Sequence, residues 1–80
     1  MPKSSPHSKN NILASFGTAL RATRKRLGVS QEELALKCGI DRAYMGAIER
    51  GEQNPGLLHI YKIATALGVK IENLMAAANL

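Results

Sequence analysis

Apolar residues in this chain recur every three or four positions and nowhere alternate with period two, so the pattern predicts helices and no strand. Leu13, Phe16, Leu20 and Leu27 form the first stripe, with Ile12, Ala19 and Thr23 beside them, and predict a helix over about 11–27. Gly28 ends it, since glycine takes the left-handed cap conformation at least cost. Ser30 and Glu33 have the spacing of a capping box and open a second helix over 31–37, with Leu34, Ala35 and Cys38 inward. Gly39 breaks it, Ile40 is an apolar plug, and Asp41 is an N-cap candidate for a third helix from Arg42 to Glu49 or Arg50. Met45 and Ile48 are the bulky aliphatics of that helix, and Gly51 ends it. Residues 52–56 read as a loop. A fourth helix over 57–67 places Leu57, Ile60, Ile63, Ala64 and Leu67 on one stripe and stops at Gly68. A fifth, about 70–78, carries Ile71, Leu74 and Met75. The expected fold is all-α: a five-helix bundle over 11–80, preceded by a disordered basic tail at 1–10 that has Pro2, Pro6 and three serines.

Composition narrows the class. Eighty residues make one small domain with no room for both a core and a large active-site cavity. The single cysteine, Cys38, excludes an internal disulfide and a paired-cysteine metal site. No apolar run approaches the roughly 18 residues of a membrane span, and the N-terminus lacks the apolar stretch of a secretory signal. A soluble cytoplasmic protein is expected. The net charge of +5 is unevenly placed. Lys3, Lys9, Arg21, Arg24, Lys25 and Arg26 all precede the first acid, Glu32. That polarity favours an anionic partner, nucleic acid above a membrane surface, because no Trp/Phe-rich face accompanies it. Arg24, Lys25 and Arg26 also complement the dipole at the end of the first helix, which is a structural reason for the same cluster.

Enzymatic chemistry is not expected. His7 lies in the tail and His59 stands alone, so no metal cluster forms. No glycine-rich phosphate loop appears, and Ser15 has no paired base. No cofactor is implied. The specific signal is the pair of short capped helices around Gly39, a helix-turn-helix pattern with small Ala35 at the helix crossing. The second of these helices is expected to turn Arg42, Ala43, Gly46 and Ala47 to solvent. Gly46 costs about 1 kcal/mol in a helix interior relative to alanine, so so bare a face is better suited to lying deep in a DNA major groove than to stability.

The stretch Phe16-Gly17-x-x-Leu20-Arg21-x-x-Arg24, then Gly28-x-Ser30-Gln31-Glu32-Glu33-Leu34-Ala35, continues as Asp41-Arg42-x-Tyr44 and Ile48-Glu49-Arg50-Gly51. Asn54-Pro55-x-Leu57 and Ile63-Ala64-x-Ala66-Leu67-Gly68-Val69 complete it. This resembles the Cro/phage-repressor type helix-turn-helix domain, the XRE family, over about three quarters of the chain. The resemblance implies a sequence-specific regulator of transcription that binds double-stranded DNA. It implies base contacts from Arg42, Ala43, Gly46 and Ala47, of which only Arg42 has reach. The Arg42 fork suits guanine O6 and N7, with a phosphate contact as the alternative. It implies phosphate contacts from Gln31, Tyr44 and Asn54. Gln31 is otherwise a good first-turn residue, and Tyr44 is otherwise a rim residue of the core. It further implies a structural salt bridge between Arg24 and Glu49. Glutamines common on this face in phage repressors are missing, so DNA shape is expected to supply part of the specificity.

One recognition helix reads few base pairs, so a homodimer on a pseudo-palindromic operator is expected. Leu58, Ile71, Leu74, Met75 and Leu80 are the apolar residues expected to form its interface. Asp41-Arg42-Ala43-Tyr44 and Ile48-Glu49-Arg50 look like controller proteins of restriction–modification systems, although such short segments also occur in ordinary repressors. An antitoxin that represses its own operon is a further reading, separated by a neighbouring toxin gene. The exposed acids Glu32 and Glu33 make RNA polymerase a candidate partner. A bacterial or phage source is implied.

Overall fold

Local chemistry decides where each helix begins. The computed structural model describes residues 10–80, and the expected disordered tail therefore lies, save for Asn10, outside the described residues. Asn10 is no part of a tail: its side-chain oxygen accepts from the amides of Ile12 and Leu13 at 2.9 and 3.1 Å and caps α1, Asn11–Arg26. Ser30 and Glu33 form the capping box that opens α2, Gln31–Cys38. The Glu33 amide donates to Ser30 Oγ at 3.0 Å, and the Ser30 amide donates to Glu33 Oε1 at 2.9 Å. Asp41 caps α3, Arg42–Glu49, by accepting from Ala43 and Tyr44. The helices α4, Leu57–Leu67, and α5, Ile71–Ala77, begin without a side-chain cap. No strand occurs among the described residues.

Packing follows the apolar stripes. α1 lies against α3 and α5, α2 against α3 and α4, and α4 against α5. Leu20, Leu34, Met45, Ile48, Ile63 and Leu74 are completely buried and come from all five helices. Burying a side chain of this size contributes about 1.5–3 kcal/mol. The turn between α2 and α3 depends on Gly39, whose φ of +68° is a left-handed value that side chains with a Cβ adopt at a cost. Gly17 serves closeness instead. A Cβ at this position would overlap the carbonyl oxygens of Ile48 and Glu49, so α1 and α3 touch backbone to backbone here.

Three sequence expectations change in the fold. Leu57 does not join the α4 stripe: it opens the helix at the surface and is 70% exposed. The open face of α3 is narrower than expected. Arg42 and Ala43 are exposed, but Gly46 and Ala47 are buried. The reason is that α3 packs against both α1 and α2, and that the Arg50 and Gln31 side chains lie over Gly46. The proposed interface also divides. Leu58 and Leu80 are 75% and 57% exposed, and Ile71 and Met75 are half-buried against the core. Leu74 is 1% exposed, because α5 turns it inward as the hydrophobic closure of its own chain.

Candidate nucleic-acid interface

The site grows from one carboxylate. Glu49, near the end of α3, accepts from Arg24 Nε at 2.7 Å through Oε2 and from Arg24 Nη2 at 3.0 Å through Oε1. Such a two-point guanidinium–carboxylate fit is among the stronger charge-assisted hydrogen bonds. Arg24 Nη1 donates in addition to the Val29 carbonyl at 3.0 Å, which ties down the turn before α2. Gln31 Nε2 donates to Glu49 Oε1 at 3.0 Å. One buried carboxylate therefore joins α1, the turn after it, the start of α2 and the end of α3. The Arg24 and Glu49 side chains are only 10% and 3% exposed. The hydrogen bond it donates to Glu49 holds the Arg24 guanidinium above its ordinary range, against the opposing effect of burial.

The other part of the site is the first turn of α3, at the opposite end of that helix. Arg42 and Ala43 lie exposed on it, just beyond the Asp41 cap. Tyr44 is half-buried, its ring 5.5 Å from that of His59 on α4 and tilted by 59°. Its body belongs to the edge of the core. Gln31 has spent one amide hydrogen on Glu49, and a primary amide has two; the other is available to an outside acceptor. Asn54 is exposed in the loop before α4, where buried Pro55 anchors the chain. The α2 start is not purely electropositive, since Glu32 and Glu33 occupy its first turn. The hydrogen bond from the Ser30 amide first, and the Ser30 side chain second, lower the Glu33 pKa below the ordinary glutamate value.

Gly46 was expected to be bare and open. It is covered instead by two side chains. A Cβ placed on it would stand 3.1 Å from Arg50 Nη1 and 3.4 Å from Gln31 Oε1. Arg50 was missed as a candidate. The signal present in the sequence was its spacing of four from Gly46, which puts the two on one helix face. Among the described residues no group of three or more His, Cys, Asp or Glu side chains could hold a metal. None of the described helices is long and apolar enough to cross a membrane.

Two capped helices about a left-handed glycine, the second offering its first turn to solvent, define a helix-turn-helix protein. The chain belongs to the helix-turn-helix family, whose model matches residues 20–74. It is 43% identical over 67 residues to the control protein C.BamHI of Bacillus amyloliquefaciens, covering 82% of this chain and 83% of that protein. The crystal structure of the restriction–modification controller protein C.AhdI from Aeromonas hydrophila superposes with a TM-score of 0.76 at 47% identity. It covers 78% of this chain and 94% of that one. The biofilm master regulator SinR, solved in complex with DNA, superposes at 0.70 with 34% identity, covering 75% and 97%. The family and these relatives make the chain a DNA-binding regulator of transcription.

Proposed function

We propose that the chain acts as a homodimer, in the cytoplasm of a bacterium or of its phage-infected host, on a pseudo-palindromic operator. The observation that carries this reading is the exposed first turn of α3, in a helix whose far end is tied to α1 and α2 by the Arg24–Glu49–Gln31 group. Arg42 enters the major groove and reads a base, and Ala43 lies against the same base edges. Gly46 and Ala47, being covered, support this turn and make no base contact of their own. Gln31, Tyr44 and Asn54 hold phosphates on either side. Two copies address major grooves about 34 Å apart. Leu58 and Leu80 supply open apolar surface for their contact, with the half-buried Ile71 and Met75 at its edge. The role is regulatory rather than catalytic.

The likeness to C.BamHI and C.AhdI supports a more specific reading, a controller of a restriction–modification system. Selection of bound duplexes from a random pool tests the general proposal. Enrichment of an inverted repeat with half-sites one helical turn apart is expected. Recovery of unrelated sequences at physiological salt contradicts it. The controller reading adds that the selected repeat lies upstream of this gene beside restriction and methylation genes, and its absence there removes that reading alone.

A further inference from the structure

Arg50 stands at the C-terminal end of α3 and is open to solvent over 60% of its side-chain surface. Arginines on helices lean back over the preceding turn, and Arg50 leans over Gly46. Arg42, Gly46 and Arg50 follow at intervals of four and so lie along one line of the helix. The middle of that line has no side chain of its own, and the Arg50 guanidinium lies across it beside the Gln31 amide. Glu52 holds the head from the loop side, Oε1 lying 3.1 Å from Nη2. The guanidinium has five N–H donors in a fixed fork, so this contact leaves donors for an outside acceptor.

Resting on the duplex-binding reading above, we propose that Gly46 is the seat of Arg50 and that Arg50 is a DNA phosphate contact of α3, steadied by Glu52. The glycine serves the arginine rather than the close approach of the duplex. A Cβ on residue 46 would stand 3.1 Å from the Arg50 head, which must shift by a few tenths of an ångström to admit even alanine. A phosphate fits better than a base: the head sits on the flank of α3 beside Gln31, itself a phosphate candidate, and a guanidinium matches phosphate with two parallel bonds. The contact extends the line of Arg42 and Gly46 to the C-terminal end of α3.

The test compares wild type, Arg50→Ala, Gly46→Ala and the double variant on the selected operator and on random duplex across salt, with melting temperatures alongside. Arg50→Ala raises Kd about tenfold on both duplexes and reduces the salt slope by about 1. Gly46→Ala weakens binding roughly several-fold by displacing the Arg50 head, yet melts no lower than wild type, since alanine is the better helix former. In the Arg50→Ala background the glycine change does nothing further, which is the signature of one shared interaction. The proposal falls if Arg50→Ala binds at wild-type strength, if its loss is confined to one base pair, or if Gly46→Ala costs as much without Arg50 as with it. Wild-type protein that binds no duplex at all overturns the proposed function together with this inference; intact binding by Arg50→Ala overturns the inference alone.

Discussion

Glu49 receives three hydrogen bonds, two from Arg24 and one from Gln31, in a site from which water is nearly excluded. Taking the carboxylate away leaves the guanidinium charge buried without its partner. Removing one member of a buried pair costs about 3–5 kcal/mol, against a total stability of about 5–15 kcal/mol for a domain. Glu49→Ala is therefore expected to lower the thermal midpoint sharply or to be unfolded at room temperature, as followed by circular dichroism. A variant that melts within a degree or two of wild type contradicts the burial. The Arg24–Glu49 pairing was legible in the sequence through the family resemblance. Gln31 as its third member was not, because the link spans 18 positions and exists only once α2 is laid against α3.

Helix ends were the most readable feature at the scale of the element. Ser30, Glu33, Asp41 and Gly39 perform in the fold the roles their spacing predicts. Capping is local chemistry, decided within about four residues, and needs no tertiary information. Faces were less readable. Which side of α3 is open depends on two neighbours and on the Arg50 side chain, and periodicity within eight residues does not report them. The α2 cap also carries a pH dependence. The folded state lowers the Glu33 pKa, through the Ser30 backbone hydrogen bond first and its hydroxyl second. Its contribution to stability is complete above the ordinary value of about 4.3 and is lost as pH falls from there through the lower folded value. Glu33→Gln keeps the box, since glutamine reaches back as well, but does not titrate. The difference in melting temperature between this variant and wild type is expected to change as pH drops below about 4.3, with wild type losing more. A difference that stays constant with pH contradicts the assignment.

Assembly is where the sequence said least about the whole molecule. An excess of apolar residues near the C-terminus suggested an interface, but hydropathy alone does not separate residues that close a core from residues that meet a second copy. The fold makes the separation: Leu74 is core, and Leu58 is surface. Two glutamate substitutions should then behave oppositely. Leu58→Glu keeps the wild-type fold by circular dichroism and sediments as the 8.6 kDa monomer at micromolar concentration. Leu74→Glu places a charge in the core, which is prohibitive without a partner, and loses its helical signal. A folded Leu74→Glu monomer would reverse this assignment, and a Leu58→Glu dimer would remove α4 from the interface. The same scale carries the functional claim, since two short capped helices read DNA only if the bundle holds α3 rigidly outward. Arg42 is the residue at that point, and the most direct measurement is the affinity of Arg42→Ala for the selected operator and for random duplex at one salt concentration. A loss of about 1–3 kcal/mol on the operator, with preference relaxed at one position per half-site and little change on random DNA, is predicted; an equal loss on both would make Arg42 a phosphate contact and contradict sequence reading by α3.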